Sequence, residues 1–354
     1  MDRHDVSEQV TAENVAYLHQ EDLKIQSHFG CNALTYWFDD KRKMAFCLVE
    51  APDGKALQEM HNMAHGEVPN NIVEVDPSVV ESFLGRIEDP KKWGNTELNI
   101  IDDSAFRTIM VITAAPLVSK PNSTTLPPAY NAVLAQLKAH DGNLVKQSEG
   151  YFLSSFGSVS NAVCAAFAIQ SSLKEINGSS TSIKIGLSTG VPVTDKNSIF
   201  EDAVKLAERM CKLIKGNIIV SSEVKELYAR ENDNKLVEDE TVVSLTKSDE
   251  IFLTSLLDYT EATWRNSDLK VDDFNKPMGL SKSQLYRKLT SLTGQSPNIY
   301  INEYRLREAL ALLNKNRGNV SEIAFETGFS SPSYFSKCFQ KRYGYLPSDY
   351  LRIR

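Results

Sequence analysis

The stretch E-I-A-F-E-T-G-F-S-S-P-S-Y-F-S-K-C-F-Q, Glu322 to Gln340, reads as two short helices meeting at a glycine. Asn319 and Glu322, three apart, form a capping pattern in which side chains satisfy N–H groups that a first helical turn leaves unpaired. Ile323, Ala324 and Phe325 are expected to fill a core, Gly328 to make the turn, and Ser331-Pro332 to cap the second helix. On that helix Tyr334, Phe335 and Phe339 are expected to be structural, leaving Ser333, Ser336, Lys337 and Gln340 outside. The design occurs twice. Upstream, Val271 to Gly279 precede a helix capped by Ser281 with Gln284. Leu285, Leu289 and Leu292 share one of its faces, and Lys282, Ser283, Tyr286, Arg287 and Lys288 point outward. Ser296-Pro297 opens a longer helix whose stripe of Leu306, Ala309, Leu310 and Leu313 is expected to bind the two units together. Such paired units suit DNA, because a helix fits the major groove and its N-terminal residues reach base edges.

Charge points the same way. From Asn266 onward 14 lysines and arginines stand against eight acids, a net of +6 within a chain whose total is −7. A basic end on an acidic chain is the footprint of phosphate contact, and it implies binding that weakens as salt rises.

The runs L-Y-R-K-L-T-S-L-T-G-Q-S-P, R-L-R-E-A-L-A-L-L and E-I-A-F-E-T-G-F-S-S-P-S-Y-F-S-K-C-F-Q-K-R-Y-G-Y-L-P-S-D-Y resemble the AraC/XylS DNA-binding domain. The resemblance covers about a quarter of the chain. It implies two recognition helices in successive major grooves on one face of double-stranded DNA, roughly one helical turn apart. By position, Ser283, Tyr286 and Arg287 on the first helix and Ser333, Ser336 and Lys337 on the second match the family's base-reading places. Arg287 leads this set, because a guanidinium gripping guanine through two hydrogen bonds discriminates by roughly 1–3 kcal/mol. The first unit departs from the pattern: Asn275 stands where a small alanine is usual, and Pro277 shortens the helix. Ala324 fits in the second unit.

With 354 residues, 42% of them hydrophobic, the chain is long enough for two or three cores. No apolar signal region follows Met1 and no run approaches the ~18 apolar residues that span a bilayer, so no membrane partner and a cytoplasmic location are expected. The five cysteines are scattered without a C-x-x-C pair, which argues against both a disulfide framework and a zinc knuckle.

Five of the six histidines, His4, His19, His28, His61 and His65, lie in the first 65 residues. Periodicity there predicts a βαββαβ order: strand Arg3 to Ser7, helix Thr11 to His28, strands Ala33 to Phe38 and Met44 to Glu50, helix Asp53 to His65, strand Ile72 to Val75. This is the ferredoxin-like, α+β arrangement. His61 and His65 share one helical face, His19 and Asp22 another, and such pairs can clasp a metal or simply be half-buried and capping residues. The runs T-A-E-N-V-A-Y-L-H-Q-E-D-L-K-I-Q, T-Y-W-F-D, F-C-L-V-E-A-P-D and H-N-M-A-H-G resemble a ferredoxin-like family of bacterial domains, some of which bind nickel. That implies a dimer holding metal, nickel or zinc, through His4, His19, Asp22, His61 and His65, with Glu50 and Cys47 as further candidates.

Pro77 to Ser104 reads as a linker. Beyond it strands and helices alternate, and G-N-L-V-K-Q-S-E-G-Y-F-L-S-S-F, N-A-V-C-A-A-F-A-I-Q, I-K-I-G-L-S-T-G, D-A-V-K-L-A-E-R-M and I-I-V-S-S-E-V are similar to the class III nucleotide cyclase domain. The resemblance implies two metal-binding aspartates and a transition-state asparagine and arginine. Thr113, Glu149 and Lys205 replace the two aspartates and the asparagine, while Lys146 and Arg209 remain. A threonine cannot supply the anionic ligand bridging two cations, so no cyclase activity, and no enzyme, is expected.

The expected architecture is therefore multidomain: a ferredoxin-like metal-binding domain at 1–77, a degenerate cyclase-like α+β domain at 104–246, a linker helix at 247–265, and an all-α tandem helix-turn-helix domain at 266–354. The expected function is a sequence-specific transcriptional regulator controlled by metal or a small ligand, a homodimer on DNA that can contact RNA polymerase. The alternative is a metal-binding protein or residual cyclase with an accessory DNA-binding tail.

Overall fold

The computed structural model describes residues 1–91, 98–114, 128–177, 183–232, 242–315 and 317–353. Two compact units emerge, one of Met1–Cys211 with Gly216–Thr246, the other of Lys212–Lys215 with Lys247–Arg354. In the first unit, β1 (Asp2–Asp5), α1 (Ala12–Ile25), β2 (Asn32–Asp39), β3 (Met44–Glu50), α2 (Gly54–Ala64) and β4 (Asn71–Ile72) give the expected βαββαβ order. The sheet runs β2-β3-β1-β4, antiparallel throughout, which is the ferredoxin-like topology. Asp2 and His4 alternate with Arg3 along β1, so they share the sheet face that also carries Tyr36, Phe38, Ala45 and Cys47. α1 is fixed by a capping box between Thr11 and Asn14, and Asp53 caps α2.

The stretch read as a linker is largely structured. Its first part is α3 (Pro77–Leu84), begun by Asp76 as cap and Pro77 at the first position, which buries Val80, Phe83 and Leu84. Three apolar residues on one face of a two-turn helix need a surface to cover, and Phe83 stacks on Phe200 at 4.8 Å. Arg86 lies over Trp37 and bonds the Tyr36 carbonyl and Asp103. Gly94 lies outside the described residues. The N-terminal and middle segments thus form one packed unit, where the sequence reading separated them.

The middle segment comprises β5 (Arg107–Ala114), α4 (Pro128–Ala139), β6 (Gly142–Ser148), β7 (Tyr151–Phe156), α5 (Val159–Asn177), β8 (Ile183–Gly190), α6 (Glu201–Leu213), β9 (Ile218–Val220), α7 (Ser222–Glu231) and β10 (Val242–Ser244). They build a mixed six-stranded sheet ordered β10-β9-β8-β5-β7-β6. Met110, Ile112, Phe152 and Phe156 on one face meet Ala162, Ala166 and Ile169 of α5. Residues 233–241 lie outside the described residues.

The second unit begins with α8 (Lys247–Thr263), the helix expected as a linker. Phe252, Leu253, Leu256, Leu257 and Thr260 are buried on it, and Thr260 shares a 2.8 Å hydrogen bond with Tyr300. It is therefore part of this core. A 3₁₀ turn (Val271–Phe274) leads into α9 (Asn275–Met278), followed by α10 (Lys282–Thr293), α11 (Pro297–Asn314), α12 (Val320–Glu326), α13 (Pro332–Tyr343) and α14 (Pro347–Ile353). Capping boxes at Ser281/Gln284 and Asn319/Glu322 form as expected. Ile323 and Ala324 are fully buried, but Phe325 is 58% exposed. Three successive helical residues spread over about 200°, wider than the face that meets the core, so one of them must face out. Phe329, past the turn, fills the space beside Phe335 and Phe339.

Gly328 makes the second turn with φ +77°, and a Cβ there would stand 2.5 Å from the Trp264 carbonyl oxygen. That carbonyl is already the acceptor for Arg305 Nε at 2.9 Å. Gly328→Ala is expected to cost about 2–5 kcal/mol, combining left-handed strain with a backbone clash. Urea melts of the full chain read it, and a midpoint shift equivalent to under about 0.5 kcal/mol would contradict the packing.

Candidate functional site

Two sites emerge, one of ligating side chains and one of exposed helix faces. In the ferredoxin-like segment α1 supplies Asp22, α2 supplies His61, and His65 is the residue that ends α2. His61 Nδ1 lies 3.1 Å from Asp22 Oδ1 and 3.3 Å from His65 Nε2, and His65 Nε2 lies 3.2 Å from Asp22 Oδ1. Donor atoms each ~2.0–2.1 Å from one divalent ion stand about 2.9–3.4 Å from each other, so this triangle fits such an ion without rearrangement. Asp22 is 2% exposed and His61 1%.

The far side of His61 is held by Asp2, whose Oδ2 is 3.1 Å from His61 Nε2 and whose Oδ1 accepts the Cys47 amide at 3.0 Å. A carboxylate behind a ligating imidazole fixes the tautomer and leaves the other nitrogen for the metal. Asp2, fully buried, is the residue the sequence reading missed. Its signal was the alternation in β1, which puts it on the face of His4. His4 Nε2 stands 3.6 Å from Asp2 Oδ1, and Asp2, His4 and Cys47 form a second buried group with ligand atoms within 4.8 Å.

His19 is not in either group. It lines a cavity that Asp22, His61 and His65 also border, but its Nε2 points to Asp89 Oδ2 at 3.4 Å, an ion-pair distance that misses hydrogen-bond geometry. Residues three apart on a helix diverge by about 60°, enough for Asp22 and His19 to serve different neighbours. Glu50 is exposed at the end of β3 and bonds Asn32.

Electrostatics follow from the burial. Desolvation lowers the basicity of His61, but the hydrogen bonds to Asp2 and Asp22 outweigh it and raise its pKa to about 9. Burial would raise Asp2 and Asp22, yet their bonds to His61 hold both below the ordinary carboxylate value. Burial pushes His4 down and the Cys47 thiol well up. In metal-free protein the His61 contribution to stability is full below about pH 6.5 and is lost as pH rises through 9; that of the two aspartates is present above about pH 4 and lost as pH falls. Chelator-treated protein should therefore melt highest between about pH 4 and 6.5, and a flat melting temperature from pH 6.5 to 9.5 would count against the clamp.

On the helical unit Ser283, Tyr286 and Arg287 of α10 and Ser333 and Lys337 of α13 are exposed, as expected for groups that meet a partner. Ser336 is half-buried and its hydroxyl donates to the Pro332 carbonyl at 2.9 Å, so its proton is already used. Tyr334, expected to be structural, is 50% exposed, though Asn302 donates to its hydroxyl at 3.3 Å. Asn275, the departure noted in the first unit, has a buried side-chain oxygen without a hydrogen-bond partner.

In the middle segment Thr113 pairs with Tyr151 across β5 and β7, and the Ala114 amide bonds Gly150, so Thr113 and Glu149 come to the same sheet end. Lys205 is exposed and paired with Glu201.

Residues 276–353 match the profile of a helix-turn-helix domain, and residues 1–75 match that of the nickel responsive protein SCO4226-like. The HTH-type transcriptional activator RhaS of Escherichia coli is 36% identical over 84 residues, 24% of this chain and 29% of that one. The C-terminal helices are thus similar to part of a helix-turn-helix activator. Histidine kinase P4 of Formosa agariphila is 37% identical over 108 residues, 30% of this chain but 8% of that one. An adenylate/guanylate cyclase/hydrolase structure from Silicibacter pomeroyi is 20% identical with a TM-score of 0.30, covering 38% of this chain and 83% of that one. The chain spans less than a third of the length of RhaS and less than a tenth of that of the histidine kinase. Among the described residues no helix is long and apolar enough to cross a membrane.

Proposed function

We propose that this protein is a transcriptional regulator in which a divalent transition metal, nickel or zinc, held by Asp22, His61 and His65 sets how the AraC-type domain meets DNA. The observation that carries it is the coexistence of a three-donor triangle with two exposed recognition helices in one chain. Arg287 reads guanine, Ser283 and Tyr286 flank it, and Ser333, Ser336 and Lys337 do the same on α13, with Ser336 acting as acceptor. The protein acts as a homodimer on paired half-sites, and contact with RNA polymerase follows if it activates. An ion held there would supply positive charge beside Asp22 in place of the proton on His61 Nδ1.

His65 carries the switch. Its Nδ1 accepts the Glu67 amide at 3.1 Å, so in the metal-free neutral ring the proton is on Nε2. Holding an ion through Nε2 would place the ring proton on Nδ1 and take away the acceptor of the Glu67 amide. The donor triangle would stay in place while the loop from Gly66 would have to shift, next to Asn70, whose side chain accepts the Asp5 amide at the end of β1. Coupling on the order of 1–3 kcal/mol is enough to regulate. With Thr113 at the first metal position, the middle segment serves as a scaffold without cyclase turnover.

The test is selection of preferred DNA sequences by full-length protein, chelator-treated and then reloaded with nickel or zinc. Selective binding whose affinity or footprint changes about fivefold or more with one ion is expected. Identical footprints and affinities in all three states would remove the metal control, and absence of any sequence preference would remove the regulator.

A further inference from the structure

The three converging donors are too few. Zinc takes four ligands and nickel four or more, and among the described residues Asp22, His61 and His65 are the only donors grouped around that point. Asp2 cannot complete the set from behind His61, since its two oxygens are engaged by the Cys47 amide and His61 Nε2. Beside the triangle lies a cavity of about 200 Å³, with an aliphatic wall of Val10, Val15, Leu18 and Val68 and with Asp5 and Glu67 also lining it. A cavity of about 150 Å³ takes up benzene, so this one has room for roughly six to ten non-hydrogen atoms. His19, 5% exposed, lines it and has no hydrogen-bond partner at Nδ1. A buried imidazole nitrogen left unbonded beside an open coordination position marks a place for a polar group that the protein does not provide.

We propose that this cavity takes a small α-amino acid as co-ligand of the bound ion; the inference rests on the metal reading above. Charge sets the class. A divalent ion with Asp2 and Asp22 is neutral overall and Asp5 and Glu67 also line the cavity, so a polyanion meets net repulsion, and the valine and leucine walls penalise one further. An α-amino acid supplies an amine nitrogen and a carboxylate oxygen to the ion, releasing its ammonium proton to solvent. Its second carboxylate oxygen accepts a hydrogen bond from His19, and a short aliphatic side chain covers Val10, Val15 and Leu18. The site then reports metal and amino acid together.

The experiment uses full-length protein loaded with cobalt(II), whose visible spectrum reports the coordination sphere, titrated with L-valine and separately with citrate. Saturable spectral change with L-valine and none with citrate is expected. His19→Ala should raise the half-saturation concentration about tenfold or more, the loss of one hydrogen bond to a charged group. Val10→Phe, which fills the cavity from its wall, should abolish the response in protein that still takes up cobalt. No spectral change with L-valine, an equal response to citrate, or unaltered half-saturation in both variants overturns the co-ligand. Failure of the untreated chain to take up cobalt, nickel or zinc overturns the metal reading itself, and the co-ligand with it.

Discussion

Arg287→Ala is expected to weaken binding to the preferred DNA sequence by about 1–3 kcal/mol, roughly five- to 150-fold, and to relax the preference at one guanine. Adding Lys337→Ala removes a charge from the second recognition helix, so the double variant should lose most of its advantage over random DNA. Both side chains are exposed on helices whose packing faces are Leu285 with Leu289 and Phe335 with Phe339, so the fold has no reason to suffer. Anisotropy titrations at fixed salt, on selected and scrambled duplexes, separate the two effects. A double variant that still chooses its promoter over scrambled DNA as well as the parent would end the case for base reading by these helices.

The second large effect belongs to the metal triangle. His61→Ala with His65→Ala leaves one carboxylate where three donors stood, and metal affinity should fall on the order of 10⁴-fold or more, taking structural zinc at ~10–16 kcal/mol over four ligands as the guide. His61→Ala alone also strands Asp2 and Asp22 without their shared cation, a loss of about 3–5 kcal/mol in metal-free stability. His65→Ala leaves Asp2 untouched and Asp22 still bonded to His61, so its cost to folding is smaller and it reads metal capture more cleanly. Uptake measured by metal analysis after dialysis decides the matter: parent-like stoichiometry in the double variant places the ion elsewhere.

The Asp2–His4–Cys47 group is where it would then be sought. Its thiol is held protonated by burial and by the nearby aspartates, so loading it costs the thiol proton, as loading the Asp22 triangle costs the His61 proton.

The helix-turn-helix units were legible in the sequence because their signals are local. Ser281 with Gln284 and Asn319 with Glu322 act over three residues, and Gly279, Gly294, Gly328 and Gly344 mark left-handed positions that few other residues adopt. The ferredoxin-like order follows from the alternation of strand and helix periods along the first 75 residues. The same locality explains the failures. Phe325 was placed inside by its chemistry, whereas the turn of α12 sends it out. Pro77 to Leu84 carries too few residues for periodicity to announce a helix, and α8 looked like a connector because nothing within it names Tyr300 as its partner.

The sequence by itself determined that helices with exposed hydroxyl and basic side chains would form twice near the C-terminus, and that His61 and His65 would share a helical face, since both depend on spacing along one element. Only the tertiary structure decided which acid faces which histidine. Asp2 meets His61 across 59 residues and Asp22 meets it across 39, while His19 turns to Asp89. Contacts of that separation are set by how a sheet and two helices close on each other, and no local pattern in the chain encodes that closure.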